Sequence, residues 1–347
     1  SGWISSEGPF VKRFENEFSQ FVDRKYGIAV SNGSAALDVA VKAIGIEKGD
    51  EVIMPAFTII SPAFSIIKQG GIPVLVDADP VTWCMDVSQI ESKITPKTKA
   101  IIAVHIYGFP VDMDPLMEMA TRHGLEVIED AAEMHGQTYK GKKCGSFGDI
   151  SIFSFYPNKH ITTGEGGLLV TNNEEISNKS KELRNLSFNA EQRFVHHDMG
   201  WNYRMTNLQA ALGVAQLEQI ESFIVRKREI GALYHSLLSN IECIDLMPLS
   251  TEYSNCIYWV FGILLNEKCS FDAKHVMKQL GEKKIGSRPF FYPMHKQPVF
   301  NNMGHFRNND HPVAENLANN GFYIPCGLGI TNDEIKDVAE TLKIVLI

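Results

Sequence analysis

The sequence lacks the features of several protein classes. Its 347 residues contain no run of about 18 consecutive apolar residues, so no segment is predicted to cross a membrane as a helix. Positive charge is scarce, because 33 Lys and Arg stand against 41 Asp and Glu, for a net charge of −8. This balance argues against nucleic acid or an anionic membrane as the general partner, although a local basic pocket is compatible with it.

Cysteine is sparse, and its distribution indicates free thiols. The six cysteines form no CxxC pair, and no histidine cluster accompanies them. The sequence therefore predicts no zinc or other metal site and no disulfide framework, and we expect reduced thiols in the cytoplasm.

Length and composition predict a large globular protein. Apolar residues make up 44% of the chain, which is enough for a sizeable core. At roughly 150 residues per domain, the length suggests two domains. We predict a large domain over residues 1–238 and a smaller α+β domain over residues 239–347. The chain starts abruptly within a motif around Trp3, so we expect a short native segment to precede it.

The first two thirds of the chain alternate strand and helix patterns, which predicts an α/β fold. Short β-rich runs occur at residues 28–30, 51–54, 73–76, 100–104, 126–128, 151–154 and 168–170. Such alternation is typical of a mostly parallel sheet with helices on both faces. A long amphipathic stretch near residues 207–238 predicts one or two further helices. In open parallel sheets ligands bind beyond the carboxyl ends of the strands, so we searched there for functional residues.

Two of these strand ends carry residues suited to binding charge. After the first strand, Gly33, Ser34 and Ala35 open a helix, whose free amides suit a phosphate. Any tight strand-to-helix turn has a similar sequence, so a purely structural role stays open. Asp130 follows an apolar strand, where a carboxylate is costly without a partner. It is suited to binding a metal ion, capping a helix or facing a cationic ring nitrogen.

The most specific segment spans residues 154–167. It places a single lysine, Lys159, between the end of a strand and a glycine-rich turn. Glycines allow close backbone approach, and a desolvated lysine amine is a nucleophile. The segment therefore suits covalent attachment of an aldehyde cofactor, while a solvated loop lysine is the plainer alternative.

Together with motifs elsewhere, these residues resemble the sugar-nucleotide aminotransferases. That group is a branch of the aspartate-aminotransferase-like (fold type I) pyridoxal phosphate (PLP) enzymes. The resemblance covers essentially the whole chain, with further motifs at residues 3–8, 204–211 and 321–325. It implies a large domain with a mixed, mostly parallel sheet, a smaller C-terminal α+β domain, PLP as cofactor, and a homodimer with shared active sites.

The resemblance also implies roles for single residues. Lys159 would bind PLP as a Schiff base, Asp130 would pair with the ring nitrogen, and Glu133 would lie by the 3-hydroxyl, where relatives often have Gln. The phosphate would be held by a set from both subunits: Gly33, Ser34, Ala35, Ser154 and the Asn202 of the partner. Relatives often have a stacking aromatic at the position of Ile59, so either Ile59 or Phe57 would cover the ring.

Residues 287–295 resemble the substrate-side loop of the family. Arg288 would pair with a diphosphate or with a donor carboxylate, while Tyr292 and His295 would line the sugar. An ordinary surface loop with packed aromatics is the plainer alternative. The implied reaction moves an amino group from L-glutamate to a nucleotide-linked keto sugar.

Two other functions are weighed against this one. A related class of PLP enzymes dehydrates nucleotide sugars, but it has His at the position of Lys159. A catalytically silent binding protein would not need Ser34, Asp130, Ser154 and Lys159 together. The sequence leaves open whether the nucleotide is GDP, UDP or dTDP and whether C3 or C4 of the sugar is aminated.

Overall fold

The larger of two principal sheets is built from the strands that the sequence predicts. The computed structural model describes residues 2–188, 192, 194–306 and 310–346, so Ser1 and Ile347, the outer ends of the predicted domains, lie outside the described residues. The first nine strands are β1 (Tyr26–Val30), β2 (Glu51–Pro55), β3 (Ile72–Val76), β4 (Thr98–Val104), β5 (Glu126–Asp130), β6 (Thr138–Tyr139), β7 (Lys142–Lys143), β8 (Ile150–Ser154) and β9 (Gly167–Thr171).

Seven of these strands pair in the order β1-β9-β8-β5-β4-β2-β3, while β6 and β7 form a separate hairpin. Strand β9 runs antiparallel to both of its neighbours, and the other four neighbouring pairs of strands in this sheet are parallel. Burial is nearly continuous along the strands, as in β9, because helices cover both faces. The predicted α/β class and mostly parallel sheet are confirmed.

Eleven α-helices are described in the same ranges of the chain. They are α1 (Pro9–Phe21), α2 (Gly33–Ala43), α3 (Ser61–Lys68), α4 (Met113–His123), α5 (Glu174–Leu183), α6 (Asn207–Leu217), α7 (Ile220–Leu238), α8 (Ala273–Glu282), α9 (Pro298–Asn302), α10 (Pro312–Asn320) and α11 (Asn332–Leu346). None of these described helices is both long and apolar enough to cross a membrane.

The predicted amphipathic stretch near residues 207–238 forms the two helices α6 and α7. Helix α6 begins at a capping box, in which Thr206 and Gln209 satisfy each other's backbone amides. Helix α4 ends at Gly124, whose φ of 64° is the left-handed conformation that glycine adopts at little cost.

A second sheet is formed by the last four strands. These are β10 (Ile244–Leu246), β11 (Phe261–Leu265), β12 (Arg288–Pro289) and β13 (Gly321–Ile324), paired antiparallel in the order β10-β11-β13-β12. We propose the domain division after residue 238, because all four strands follow it. The two parts are tied by Lys227 of α7, whose Nζ donates to the Trp259 carbonyl at 3.1 Å and the Cys326 carbonyl at 2.6 Å.

Candidate active site

A cavity of about 540 Å³ opens at the carboxyl ends of the large sheet's strands. We call it the lysine cavity, because Lys159 lines it. Residues at or just after the ends of five strands contribute to its wall: Gly33, Ser34, Thr58, Ile59, His105, Asp130 and Ser154. This is the edge at which open parallel sheets bind their ligands.

Lys159 is held among acidic and aromatic groups. Its Nζ lies 3.5 Å from Glu133 Oε1 and 3.7 Å from the centre of the Trp259 ring. Burial lowers the pKa of the Lys159 amine, and the nearby carboxylates of Glu133 and Asp130 oppose that shift. The burial raises the share of neutral, nucleophilic amine.

Asp130 and Glu133 are buried carboxyl groups with few hydrogen bonds. Burial raises the pKa of Asp130 to about 6, although the Ala132 amide donates to its Oδ1 at 3.1 Å. Burial also raises the pKa of Glu133 to about 7, and the Tyr107 amide donates to its Oε2 at 2.7 Å. A ligand that brings a positive charge next to Asp130 would lower the cost of ionising it.

The start of helix α2 forms a part of the cavity wall that suits an anion. The amides of Gly33 and Ser34 lie in the first turn of α2 and have no helical partner. A Cβ atom added to Gly33 would lie 2.8 Å from Ser154 Cβ, so only glycine allows this close approach. The Ala35 amide instead donates to the Asn32 side chain at 2.8 Å, and Ala35 does not line the cavity. The structure thus favours Gly33 and Ser34 over the predicted contact with Ala35.

Thr58 gives an independent sign that this cavity holds a ligand. Its side chain is almost fully buried and lines the cavity, yet its hydroxyl has no hydrogen-bond partner among the described residues. An unsatisfied buried hydroxyl costs about 1–3 kcal/mol, which a polar ligand would remove. An amine, a carboxylate and an anion-binding helix terminus in one cavity fit the aldehyde, ring nitrogen and phosphate of PLP.

The residues predicted to cover the PLP ring and the residue predicted to reach the partner's phosphate lie in different surroundings. Ile59 lines the cavity and is half-exposed, whereas Phe57 is buried in an aromatic cluster and lines no part of it. Asn202 is exposed and lies outside the lysine cavity of its own chain. Its Oδ1 accepts hydrogen bonds from the Arg204 guanidinium at 3.1 and 2.7 Å.

The three predicted substrate residues are not brought together. Arg288 is exposed and lines a second cavity beside the first. Tyr292 is half-exposed and lines neither of these two cavities. His295 is buried, with Nε2 at 2.9 Å from Glu315 Oε1, and it lines neither cavity. The structure therefore does not support His295 as a group that faces the sugar, because Glu315 and the surrounding core enclose it.

His105 is a wall residue that the sequence prediction missed. It directly follows β4, so its position at a strand end was the available signal. Its Nδ1 accepts from the Val111 amide at 3.0 Å, and its Nε2 lies 3.0 Å from Glu129 Oε1, which assigns the proton to Nε2. Hydrogen bonds hold the pKa of buried Glu129 near 2, against the opposing effect of its burial.

His105, Glu129 and Cys144 also bring possible metal-ligand atoms within 4.8 Å of one another. Glu129, however, already accepts from the Phe147 amide and the Ser151 hydroxyl, both at 2.9 Å. The described contacts therefore account for this cluster as a hydrogen-bonded support beneath the cavity wall. Trp259 and Tyr323 also line the cavity but were not predicted as site residues, because they lie far along the chain from Lys159; Tyr323 falls within the motif at residues 321–325.

The geometry agrees with the comparisons with known proteins. The model of the DegT/DnrJ/EryC1/StrS aminotransferase family matches residues 1–343. The GDP-perosamine synthase of Escherichia coli O157:H7 is 41% identical over 343 residues, covering 99% of this chain and 92% of the relative. The GDP-perosamine synthase of Caulobacter vibrioides is 41% identical over 345 residues, with coverage of 99% and 92%.

Solved structures show the same likeness. An aminotransferase from Psychrobacter cryohalolentis superposes with a TM-score of 0.92 at 30% identity, covering 97% of this chain and 91% of that one. The PLP form of the sugar aminotransferase Spr1654 from Streptococcus pneumoniae, itself described as putative, gives a TM-score of 0.92 at 26% identity, with coverage of 99% and 93%.

Proposed function

The chain belongs to the DegT/DnrJ/EryC1/StrS aminotransferase family, and we propose that it transfers an amino group from L-glutamate to a nucleotide-linked 4-keto-6-deoxy sugar with PLP as its cofactor. The observation that carries this proposal is the meeting of three groups in one cavity. These are the Lys159 amine, the Asp130 carboxyl group and the free amides at the start of α2. The presence of Lys159 also disfavours the sugar-dehydratase alternative, whose class has His there.

The residues would hold PLP at both of its ends. Gly33 and Ser34 would bind the phosphate through backbone amides, aided by the Ser154 hydroxyl beside them. Asp130 would hold the ring nitrogen in its protonated form, since a buried carboxylate and a cation stabilise each other. Ile59 would cover the ring face from the exposed side.

Lys159 would carry the protons of the reaction. When bound, PLP supplies an electron sink for the charge that develops at the donor Cα. The free lysine amine has a pKa of about 10.4 in water. Burial lowers the pKa of Lys159, so a larger fraction of the amine is neutral near pH 7 and able to accept a proton. Lys159 would take a proton from the donor Cα and deliver one to the acceptor carbon, so both half-reactions share one site and the kinetics should be ping-pong.

The favoured acceptor is GDP-4-keto-6-deoxymannose, which would give GDP-perosamine. Two relatives named GDP-perosamine synthase at 41% identity over almost the whole chain support this choice. A UDP- or dTDP-linked keto sugar is the alternative acceptor. We also propose a cytoplasmic enzyme, supported by six unpaired cysteines, which suit a reducing compartment.

We propose a homodimer in which Asn202 contributes to the partner's site. Asn202 is exposed and does not line the lysine cavity of its own chain. Several apolar side chains are exposed before and after Asn202 in the chain: Leu186, Phe194, Val195, Met199, Leu208 and Leu212. Contact with a second copy would remove these apolar surfaces from water.

A panel of acceptors tests the proposed reaction. The PLP-loaded enzyme is incubated with L-glutamate and GDP-, UDP- or dTDP-linked 4-keto-6-deoxy sugars, and release of 2-oxoglutarate is measured. We expect the GDP sugar to react fastest. Preference for a UDP or dTDP sugar would reject perosamine synthesis alone, whereas reaction with simple keto acids but no keto sugar would reject the sugar-nucleotide assignment.

A further inference from the structure

Trp259 forms the part of the lysine cavity wall that lies against the reactive amine. The Lys159 Nζ is 3.7 Å from the centre of the Trp259 ring, well inside the distance of about 6 Å at which a cation and an aromatic face attract each other. Among the aromatic side chains, indole attracts cations most strongly. The contact therefore bears directly on the charge of Lys159.

Two hydrogen bonds hold Trp259 in this position. Its Nε1 donates to the Asn158 carbonyl at 2.8 Å, which ties the indole to the residue before Lys159. Its own backbone carbonyl accepts from the Lys227 Nζ at 3.1 Å. The side chain is buried, so its conformational freedom is lost when the protein folds and not during the reaction. The ring face is thus in place before any ligand binds.

The described residues offer the Lys159 amine little else that favours its charged form at every pH. One hydrogen bond, at 3.5 Å, joins it to Glu133 Oε1. Burial raises the pKa of Glu133 to about 7, so near neutral pH a part of the Glu133 population is protonated and forms no ion pair. The Asp130 carboxyl would be engaged by the ring nitrogen of PLP. The attraction of an aromatic face depends on neither carboxyl group.

Positive charge would appear on Lys159 during the proposed reaction. Its neutral amine takes a proton from the donor Cα, so an N–H bond forms, the Cα–H bond breaks, and the electron pair of that bond passes into PLP. An ammonium group then stands in a buried site, where a cation without partners is costly. A group that stabilises the ammonium more than the neutral amine lowers the barrier to this step.

We infer that the indole face of Trp259 stabilises the ammonium form of Lys159, which makes Trp259 a further catalytic residue of the transamination. Its role in the reaction rests on the proposed function, whereas the contact with the amine does not. The alternative is that Trp259 only separates the lysine cavity from the second cavity, since it lines both. In that case an apolar side chain without a π face would serve equally well.

Titration of the Lys159 amine in the cofactor-free protein tests the contact. Competitive labelling of lysines with acetic anhydride, followed by peptide mass spectrometry, gives the pKa of this one amine. Trp259→Leu and Trp259→Phe both lose the indole N–H and keep the backbone carbonyl that binds Lys227, but only Phe keeps an aromatic face. We expect the Leu variant to lower the pKa of the amine by about 1 and the Phe variant to lower it less.

The matched control is Trp83→Leu. It removes a buried indole that lines neither cavity, and it should leave the pKa of the Lys159 amine unchanged. Melting temperatures of all three variants identify any that fail to fold, and the Phe variant keeps the test decisive if the Leu variant does. Equal amine pKa values in the wild type and in both Trp259 variants would overturn the inference.

The half-reaction with L-glutamate tests the catalytic role. It is followed by cofactor absorbance without any acceptor, and its limiting rate is taken on the plateau of the pH profile. In Trp259→Leu this rate should fall about ten-fold, with little change in the glutamate concentration at half-saturation. An unchanged rate beside a lowered amine pKa would overturn the catalytic role. Absence of the half-reaction in the wild type, with the expected fall in the amine pKa of the variant, would reject the proposed function and support the contact.

Discussion

Glu133 Oε1 lies 3.5 Å from the Lys159 amine, inside a wall that also holds Asp130. Burial works against the charge of all three groups: it raises the pKa of both carboxyls and lowers that of the amine. Their mutual attraction offsets only part of this cost. The cavity without cofactor is therefore electrostatically strained, and it is relieved by a ligand that takes up the amine and offers a cation to Asp130.

Replacing Glu133 by Gln should make the cofactor-free protein less sensitive to pH. The Glu133 pKa is about 7 in the fold and about 4.3 in an unfolded chain. Between about pH 4.3 and pH 7, the folded state therefore keeps a proton on Glu133 that the unfolded chain has lost. The free energy of unfolding falls as the pH rises through this range and levels off above about pH 7. From pH 5 to pH 8, wild type should lose roughly 1–3 kcal/mol more stability than Glu133→Gln. Melting temperatures of both apo-proteins across this range measure the difference, and parallel curves would mean that Glu133 ionises normally.

Replacing Asp130 by Asn should slow the reaction with L-glutamate more than it weakens the binding of PLP. The amide oxygen of Asn can still accept from the Ala132 amide, so the local structure should persist. The ring nitrogen would lose its anionic partner, and we expect the half-reaction with L-glutamate to slow at least 100-fold while PLP stays bound. Stopped-flow absorbance gives the rate and equilibrium dialysis gives the PLP affinity. A wild-type rate in Asp130→Asn would limit Asp130 to a structural role.

The sequence predicts the part of the site that depends on single strand ends. Asp130, Lys159 and the turn at Gly33 are recognisable because a strand, its end and the residue that follows are local features. Trp259 and Tyr323 reach the same cavity from beside β11 and within β13, so only tertiary packing brings them there.

His295 shows the opposite limit of sequence reasoning. The loop motif predicts that it faces the sugar, but its ring pairs with Glu315 of α10, a contact that depends on how that helix packs. Ala35 differs from its prediction for a more local reason, because the Asn32 side chain that caps α2 takes up the Ala35 amide.

Gly33→Ala should disrupt the anion-binding turn. The added methyl group would lie 2.8 Å from Ser154 Cβ, which forces the turn and the end of β8 apart. Crowding of this kind costs about 1–3 kcal/mol, and we expect PLP affinity to fall at least ten-fold. The matched control is Gly281→Ala in α8, where no atom beyond its chain neighbours and the backbone of its own helix lies within 4 Å of the added Cβ. That control should melt at or above the wild-type temperature and bind PLP normally, so equal PLP binding by both variants would exclude crowding at Gly33.

Complementation between two defective variants tests whether Asn202 acts across a dimer. Asn202→Ala should weaken PLP binding by about 1–3 kcal/mol, the cost of an unpaired buried acceptor on the phosphate, and Lys159→Ala should be inactive. In a heterodimer of these chains, one site would combine Lys159 of the first chain with Asn202 of the second, while the other site would lack both. At a PLP concentration too low to load the Asn202→Ala homodimer, a heterodimer purified with two affinity tags should therefore recover about half of the wild-type activity.

The control is a heterodimer of the wild-type chain and a chain that carries both substitutions. Each of its two sites has one defect, so it should have no intact site. Recovery in the control but not in the first heterodimer would place Lys159 and Asn202 in the site of the same chain.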